Sequence, residues 1–311
     1  MIQTASKALF STIAGSSSLK TLASRYGMRG PRSFARRFIA GETVDEAIAA
    51  ARIIEASGLQ QTLDLLGESV ANMAEADAAT RGYMQVLDKI VASGVGRNIS
   101  LKLTQLGLSI DRATCVDNLR RILDLAQQHG FFVRIDMENS PFTQVTLDVF
   151  ETMWQQGYRN VGVVLQSCLP RSVADAQRMN DLGARVRIVK GAYKEPRGVA
   201  HQDKAQVDAA FLEIMKLLLS GGTYPAIATH DPTMIAAART YARERGIGPD
   251  RFEFQMLFGI RRDLQAALSS ERYNVRVYVP FGREWFPYFM RRLGERPANV
   301  GFVVRGILSE R

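Results

Sequence analysis

At 311 residues with 46% hydrophobic and 23% charged content, the chain can bury a substantial core, and its composition excludes disorder as the default state. Its formal charge of +9 permits an anionic partner, but residues 1–41 carry Lys7, Lys20, Arg25, Arg29, Arg32, Arg36 and Arg37 and no acid, so much of the excess is local. Two cysteines 53 positions apart, Cys115 and Cys168, exclude a disulfide framework and a zinc-ribbon site, and no apolar run approaches the ~20 residues of a membrane span.

Residues 1–45 read as a basic helical segment. Its acid-free, serine-containing start also resembles a mitochondrial presequence, and a membrane-surface helix is a further reading; an amphipathic helix with a solvated basic face is preferred. Reduced thiols point to the cytoplasm, with peripheral contact at the inner membrane as an additional expectation.

From residue 46 onward a phrase recurs. An amphipathic helical stretch ends at glycine or asparagine, a short β-rich run follows, and the run ends in polar residues. Gly58 precedes TLDLLGE, Gly94 and Gly96 precede ISLKLTQ, Gly130 precedes FFVRIDMENS, and Gly157 precedes VGVVLQS. Gly183 precedes VRIVKGAY, Gly221 and Gly222 precede AIATHD, Gly246 and Gly248 precede FEFQML, and Asn274 precedes VRVYVPFG. Such residues close helices in the left-handed conformation, and short Val/Ile/Leu-rich runs suit strands buried on both faces. Between them lie crossover helices such as Ala113–His129, with Val116, Leu119, Ile122, Leu123 and Ala126 on one stripe. Eight such units predict a (β/α)8 TIM-type barrel over 46–311. The alternative, a doubly wound open sheet, lacks the G-x-G-x-x-G and P-loop signatures that would bind a nucleotide there.

In a barrel the site lies at the C-terminal strand ends. Reading them in order gives Lys102, Asp136 with Glu138, Gln166, Arg187 with Lys190, Thr229 with His230, Gln255 and Tyr278. Buried ionisable groups are costly unless paired or functional, and so many at one end exceed structural need. Singly, each has a plainer reading: half of a structural ion pair for Lys102 or Asp136, an outward position for Arg187, loop bonding for Gln166 and Gln255. No HxH or HExxH suggests a metal. Beyond the last strand a helix is predicted from about Glu284 to Arg296, closed by Pro297. Tyr288, Arg291, Arg292 and Glu295 share one face of it, a multi-donor arrangement for a carboxylate, or else a solvated salt-bridged surface.

From RRFIAGETVDEA onward the sequence resembles the proline dehydrogenase family. LDLLGE, SLKLTQLG, IDMENS, VLQSCLPRS, RIVKGAYKEP, ATHD, FEFQMLFGIR, VYVPFG and YFMRRLGERPAN occur in family order, and R-x-V-K-G-A-Y and Y-x-x-R-R-x-x-E are individually specific. The resemblance implies a distorted (β/α)8 barrel with FAD at the strand C-termini. It implies that Arg291 and Arg292 hold the L-proline carboxylate, that Glu295 orients them, and that Lys102 adds a second cation ordered by Asp136. Tyr278 and Leu257 would pack on the ring, and Tyr288 would disfavour hydroxyproline. Arg187 would sit by flavin N5, Gln166 would bond the isoalloxazine, and Met137, Val189, Lys190, Gly191, Ala192, Thr229 and His230 would contact the cofactor; Asp136 and Arg187 are the expected catalytic pair.

The chain looks like the monofunctional form of the family, without a DNA-binding module or an aldehyde dehydrogenase domain. It would pass electrons to a membrane quinone and leave its product to a separate glutamate-semialdehyde dehydrogenase. Two other classes compete: a flavin barrel acting on another secondary amine, which would change Tyr278, Tyr288 and Leu257, and a basic nucleic-acid-binding protein. The second would need aromatics interleaved with its charges, and residues 1–41 offer only Phe10, Tyr26, Phe34 and Phe38 in an apolar-periodic setting, so no nucleic acid is expected.

Overall fold

The computed structural model describes Met28 and residues 33–295; the side chains of Phe34, Leu293, Gly294 and Glu295 lie outside the description. All eight predicted strands are present: β1 (Gln60–Leu65), β2 (Asn98–Leu101), β3 (Phe132–Ile135), β4 (Val161–Gln166), β5 (Arg185–Val189), β6 (Ala226–Ala228), β7 (Glu253–Leu257) and β8 (Asn274–Phe281). They pair in parallel and in sequence order, and β8 closes on β1 to complete the barrel. The open-sheet alternative is thereby excluded.

The helices between strands are α2 (Met73–Ser93), α3 (Arg112–Gln128), α4 (Thr143–Gln155), α5 (Ser172–Asp181), α6 (Lys204–Gly221), α7 (Pro232–Glu244) and α8 (Arg262–Ser270). Before β1 comes α1 (Val44–Ala56), and after β8 comes α9 (Trp285–Glu295). Helix α1 starts at a capping box, in which Thr43 accepts from the Glu46 amide and Glu46 reaches back to the Thr43 amide. Its buried residues Ala47, Ile48, Ala51 and Ile54 pack on β1 and β8. That is the place a barrel's last helix would fill, so α9 is free to go elsewhere. It packs through Trp285, Phe286, Tyr288, Phe289 and Met290 on Phe38, Ile39 and Leu66, with Ile260 and Tyr278 at the edge. Leu66 and Ile260 lie just beyond C-terminal strand ends, and Tyr278 pairs with Leu257 at the end of β7, so α9 covers that mouth. Trp285 is fully buried and donates its indole N–H to Glu42 (3.2 Å).

The expectation of strands apolar on both faces holds only for the outward side. There Leu63, Ile99, Val133, Val163, Ile188, Ile227, Phe254 and Val277 form one core with the surrounding helices. Most of the alternate, inward positions are polar or charged, with Val164 and Ala226, in register with Arg187, as apolar exceptions. At the barrel's N-terminal end, Glu253 accepts from Arg276 Nε through both carboxylate oxygens (3.0 Å each). Buried Arg134 donates to the carbonyls of Val163 (3.0 Å) and Arg185 (2.6 Å). Opposite it stands Gly162, where a Cβ would come within 2.8 Å of the Arg134 guanidinium.

Burial pushes the Glu253 carboxyl up, but Arg276, Gln255 and Arg134 outweigh it and hold the group below its ordinary 4.5. A depressed carboxyl contributes stability that is present above 4.5 and lost as pH falls through the folded value. Glu253→Gln should therefore cost about 3–5 kcal/mol at pH 7, with the deficit shrinking in acid. Urea unfolding of both proteins at pH 7 and below pH 4 would check this, and an equal deficit at both would sink the ion-pair account.

Candidate active site

The strand ends converge on Asp136, the first residue past β3. Its Oδ1 accepts from Arg187 of β5 (2.6 Å), and its Oδ2 accepts from the Tyr278 hydroxyl of β8 (2.7 Å). The Lys102 ammonium, just past β2, lies 3.6 Å from the same Oδ2. Strands β3, β5 and β8 are not neighbours, so these bonds cross the barrel and Arg187 points inward. Arg187 also donates to Ser100 (3.0 Å) and sits over the Tyr278 ring, 5.4 Å from its centroid. Its Nε is buried with no hydrogen-bond partner among the described residues.

Asp64, fully buried on β1, lies 3.4 Å from Lys102 Nζ. Burial alone would lower the Lys102 ammonium; Asp64 and Asp136 outweigh it and hold the group above its ordinary value. In the sequence, Asp64 is masked by the flanking leucines of LDLLGE, inside β1 and not at its end.

Across the mouth, α9 brings Arg291 and Arg292. Arg291 Nη1 donates to Glu68 (2.6 Å), three residues past β1, and Arg292 lies over the Tyr288 ring at 5.2 Å. Burial raises Glu68, but Arg291 outweighs it, so the carboxylate stays below its ordinary range and the pair survives mild acid. Tyr193 completes this side. Burial pushes its hydroxyl up to about 12, against the opposing pull of Arg291 and Lys102, which are close enough to be felt. Neither Glu68 nor Tyr193 was singled out from sequence, because each lies in a loop where spacing carries no face. The structure brings Lys102, Asp136, Arg187, Tyr278, Arg291 and Arg292 to one end of the barrel, while Tyr288 is largely embedded in the aromatic packing of α9. The Glu295 side chain lies outside the described residues.

The other half of the mouth is built on β4 to β7. Gln166, 2% exposed, donates to the Glu138 carbonyl (2.8 Å). Gly191, just past β5, has φ +110°, and a Cβ there would fall on Cys168 Sγ. Lys190, between Val189 and Gly191, is paired with Asp208 (2.5 Å) and Asp231 (2.8 Å). Thr229 accepts from the Asp231 amide (3.1 Å), and His230 Nε2 accepts from the Leu257 amide (2.9 Å), which places the neutral ring's proton on Nδ1. Met137 is buried beside Asp136, and Ala192 follows Gly191.

Gly191→Ala should lower stability by about 1–3 kcal/mol through backbone strain alone. Adding Cys168→Ala should relieve the steric contact but not the strain, recovering only part of the loss. Chemical denaturation of the single and double variants measures both, and full recovery in the double variant would show that φ at this position is unimportant.

Comparison with known proteins agrees with this geometry. A family profile described as "Proline dehydrogenase" matches residues 47–305. Proline dehydrogenase 1 of Bacillus subtilis (strain 168) is 41% identical over 291 residues, covering 94% of this chain and 96% of its own. Proline dehydrogenase of Deinococcus radiodurans is 41% identical over 281 residues, covering 89% and 91%. Among solved structures, proline utilization A (PutA) from Bdellovibrio bacteriovorus, inactivated by N-propargylglycine, aligns with a TM-score of 0.79 at 25% identity, covering 92% of this chain and 38% of that one. Together with the barrel and the charged mouth, these matches make the chain an oxidoreductase that acts on proline, and it belongs to the proline dehydrogenase family.

Proposed function

We propose that the chain is an FAD-dependent enzyme that oxidises L-proline to Δ1-pyrroline-5-carboxylate. The observation that carries this is the meeting, at one barrel mouth, of a guanidinium face on α9 with the Asp136–Arg187–Tyr278–Lys102 cluster.

The residues present suit a flavin. Arg187 has a buried donor with no hydrogen-bond partner among the described residues, and Gln166 offers an amide already oriented by Glu138. Met137, Val189, Lys190, Gly191, Ala192, Thr229 and His230 would hold the cofactor from the ends of β3, β5 and β6. When bound, the flavin supplies the hydride acceptor at N5.

Arg291 and Arg292 would clamp the substrate carboxylate, with Lys102 as a second cation and Glu295 as an orienting partner. Tyr278 and Leu257 would wall the ring, and Tyr288 would exclude a ring hydroxyl. Positioning supplies much of the rate in this reading. The amine must be neutral when hydride leaves C5, and its proton passes to solvent on binding. Asp136 holds Arg187 and Tyr278 in place and neutralises the cations around it.

Proline catabolism to glutamate would then continue on a separate glutamate-semialdehyde dehydrogenase, with electrons passed to a membrane quinone. Among the described residues no helix is long and apolar enough to cross a membrane. The basic stretch proposed to dock at the inner membrane falls mostly outside the described residues.

The test is the visible spectrum of the purified protein under anaerobic L-proline. Flavin bands bleached by L-proline but not by trans-4-hydroxy-L-proline are expected. Bands that do not bleach would discard proline as substrate, and a protein that neither carries nor takes up FAD would discard the cofactor.

A further inference from the structure

Gln166 and Glu68 lie at the ends of β4 and β1, three strands apart, yet one run of hydrogen bonds joins them. Gln166 donates to the Glu138 carbonyl (2.8 Å). The Glu138 carboxylate, 4% exposed, accepts from both the amide (3.1 Å) and the hydroxyl (2.5 Å) of Thr104, which is fully buried. The same hydroxyl oxygen accepts from the Ser69 amide (3.1 Å), and the Thr104 carbonyl accepts from the Val70 amide (3.4 Å). Ser69 directly follows Glu68, whose carboxylate takes Arg291 Nη1 (2.6 Å).

Two features show that these bonds set positions. The short 3-10 helix Leu103–Leu106 begins at Lys102, which offers it no side-chain cap; Glu138 supplies that cap from the next strand's loop. Ser69 has φ +54°, a costly conformation for a residue with a Cβ, and its amide is held by Thr104. If Thr104 shifts, the Glu68 turn loses its tether and Arg291 loses its orientation. A group engaging Gln166 would order Glu138, and with it everything downstream.

We propose that Glu138 and Thr104 are positioning residues that couple the cofactor pocket at Gln166 to the Arg291 clamp, so that flavin and a proline-like carboxylate each tighten the binding of the other. This rests on the reading of the two pockets given above. Thermodynamic linkage requires the two enhancements to be equal, and couplings of this kind commonly span about 5- to 150-fold. Pre-ordering of one pocket by the other is sufficient to produce it.

The probe is cyclopentanecarboxylate, which has the ring and the carboxylate but no amine to oxidise. Flavin release from the diluted holoprotein, followed by the rise in flavin fluorescence, gives the flavin Kd with and without saturating probe. In the unsubstituted protein the probe should lower that Kd at least about fivefold. Thr104→Val and Glu138→Gln should bring the ratio close to one, and Thr104→Ser, which keeps the hydroxyl, should restore it. A merely structural role would lower stability and leave the ratio unchanged. Retention of the full ratio in Glu138→Gln and Thr104→Val, or a ratio of one in the unsubstituted protein, overturns the proposal. Should Thr104→Val not fold, Glu138→Gln against Thr104→Ser decides alone. Bleaching by L-proline in the same preparation separates the outcomes: a protein that bleaches but shows no coupling refutes only the coupling, whereas one that holds no flavin or does not bleach refutes the underlying reading.

Discussion

Arg291→Met is expected to lower kcat/KM for L-proline by about 30- to 5,000-fold, the equivalent of losing one partner of a desolvated charge-assisted pair worth about 2–5 kcal/mol. The loss should fall mainly on KM, because the substrate carboxylate is bound alike before and during hydride transfer. Flavin content and absorbance should be nearly unchanged, since Arg291 stands on α9, whereas the proposed cofactor residues stand on β3 to β6. Glu68 contributes to the magnitude: the substitution leaves its carboxylate unpaired in a partly buried setting, adding a cost unrelated to substrate. Glu68→Gln with Arg291→Met should therefore cost less than the two single losses combined. Arg291→Lys should recover little, because an ammonium cannot give one edge to Glu68 and a second, planar edge to a carboxylate. Steady-state kinetics on these variants checks the set. An unchanged KM in Arg291→Met would reduce the Glu68 pair to a tie between α9 and β1.

That expectation depends on where α9 lies, and this placement was only half legible in the sequence. The face shared by Tyr288, Arg291 and Arg292 follows from helical spacing. Its direction does not, because Trp285, Phe286, Phe289 and Met290 form the same apolar stripe that any barrel helix carries. What sends α9 over the mouth is α1 on β8 and β1, together with the Phe38–Ile39 segment beneath it. Those are contacts between chain ends, which no local pattern reports. The strands were the easy part, since seven of the eight follow a glycine near a helix end and most alternate Val, Ile, Leu or Phe with other residues, whereas β8 opens on Asn274 itself, after Arg272 in the left-handed conformation. Their interior was harder. Alternation puts Asp64, Ser100, Arg134, Asp136 and Arg187 inside, but in runs of three to eight residues the apolar outer positions dominate the appearance. Asp64 looked like part of an apolar phrase, and Glu68 like a loop acid. Only the closure of β8 onto β1 shows that β1 contributes to the same mouth as Lys102 and Arg291.

Asp136 carries the other large expectation. Asp136→Ala should lower the rate of flavin reduction by L-proline by about 100- to 1,000-fold, as for the loss of a preorganised electrostatic group, and should also cost about 3–5 kcal/mol of stability. Three partners account for this. Without Asp136, Arg187 keeps, among the described residues, only Ser100 as a side-chain hydrogen-bond partner, Tyr278 loses its 2.7 Å acceptor, and Lys102 retains, among the same residues, Asp64 alone within ion-pair distance. Two cations would then share one buried carboxylate, and mutual repulsion should turn Arg187 away from its present position. Asp136→Asn separates charge from shape, because it keeps an acceptor for Arg187 while removing the negative charge. If charge balance dominates, Asn should be nearly as damaging as Ala; if hydrogen-bond geometry dominates, Asn should recover most of the loss. Tyr278→Phe gives the control. It removes one donor without disturbing the ion balance, so its effect should be close to that of a single hydrogen bond to a charged group, about 1.5–3 kcal/mol. Combined with Asp136→Ala it should add almost nothing, since the two act on the same contact. Stopped-flow reduction and urea denaturation on the four proteins would resolve these cases. Full additivity of Tyr278→Phe and Asp136→Ala would mean that the tyrosine acts on the substrate ring alone and that Asp136 is not the common anchor.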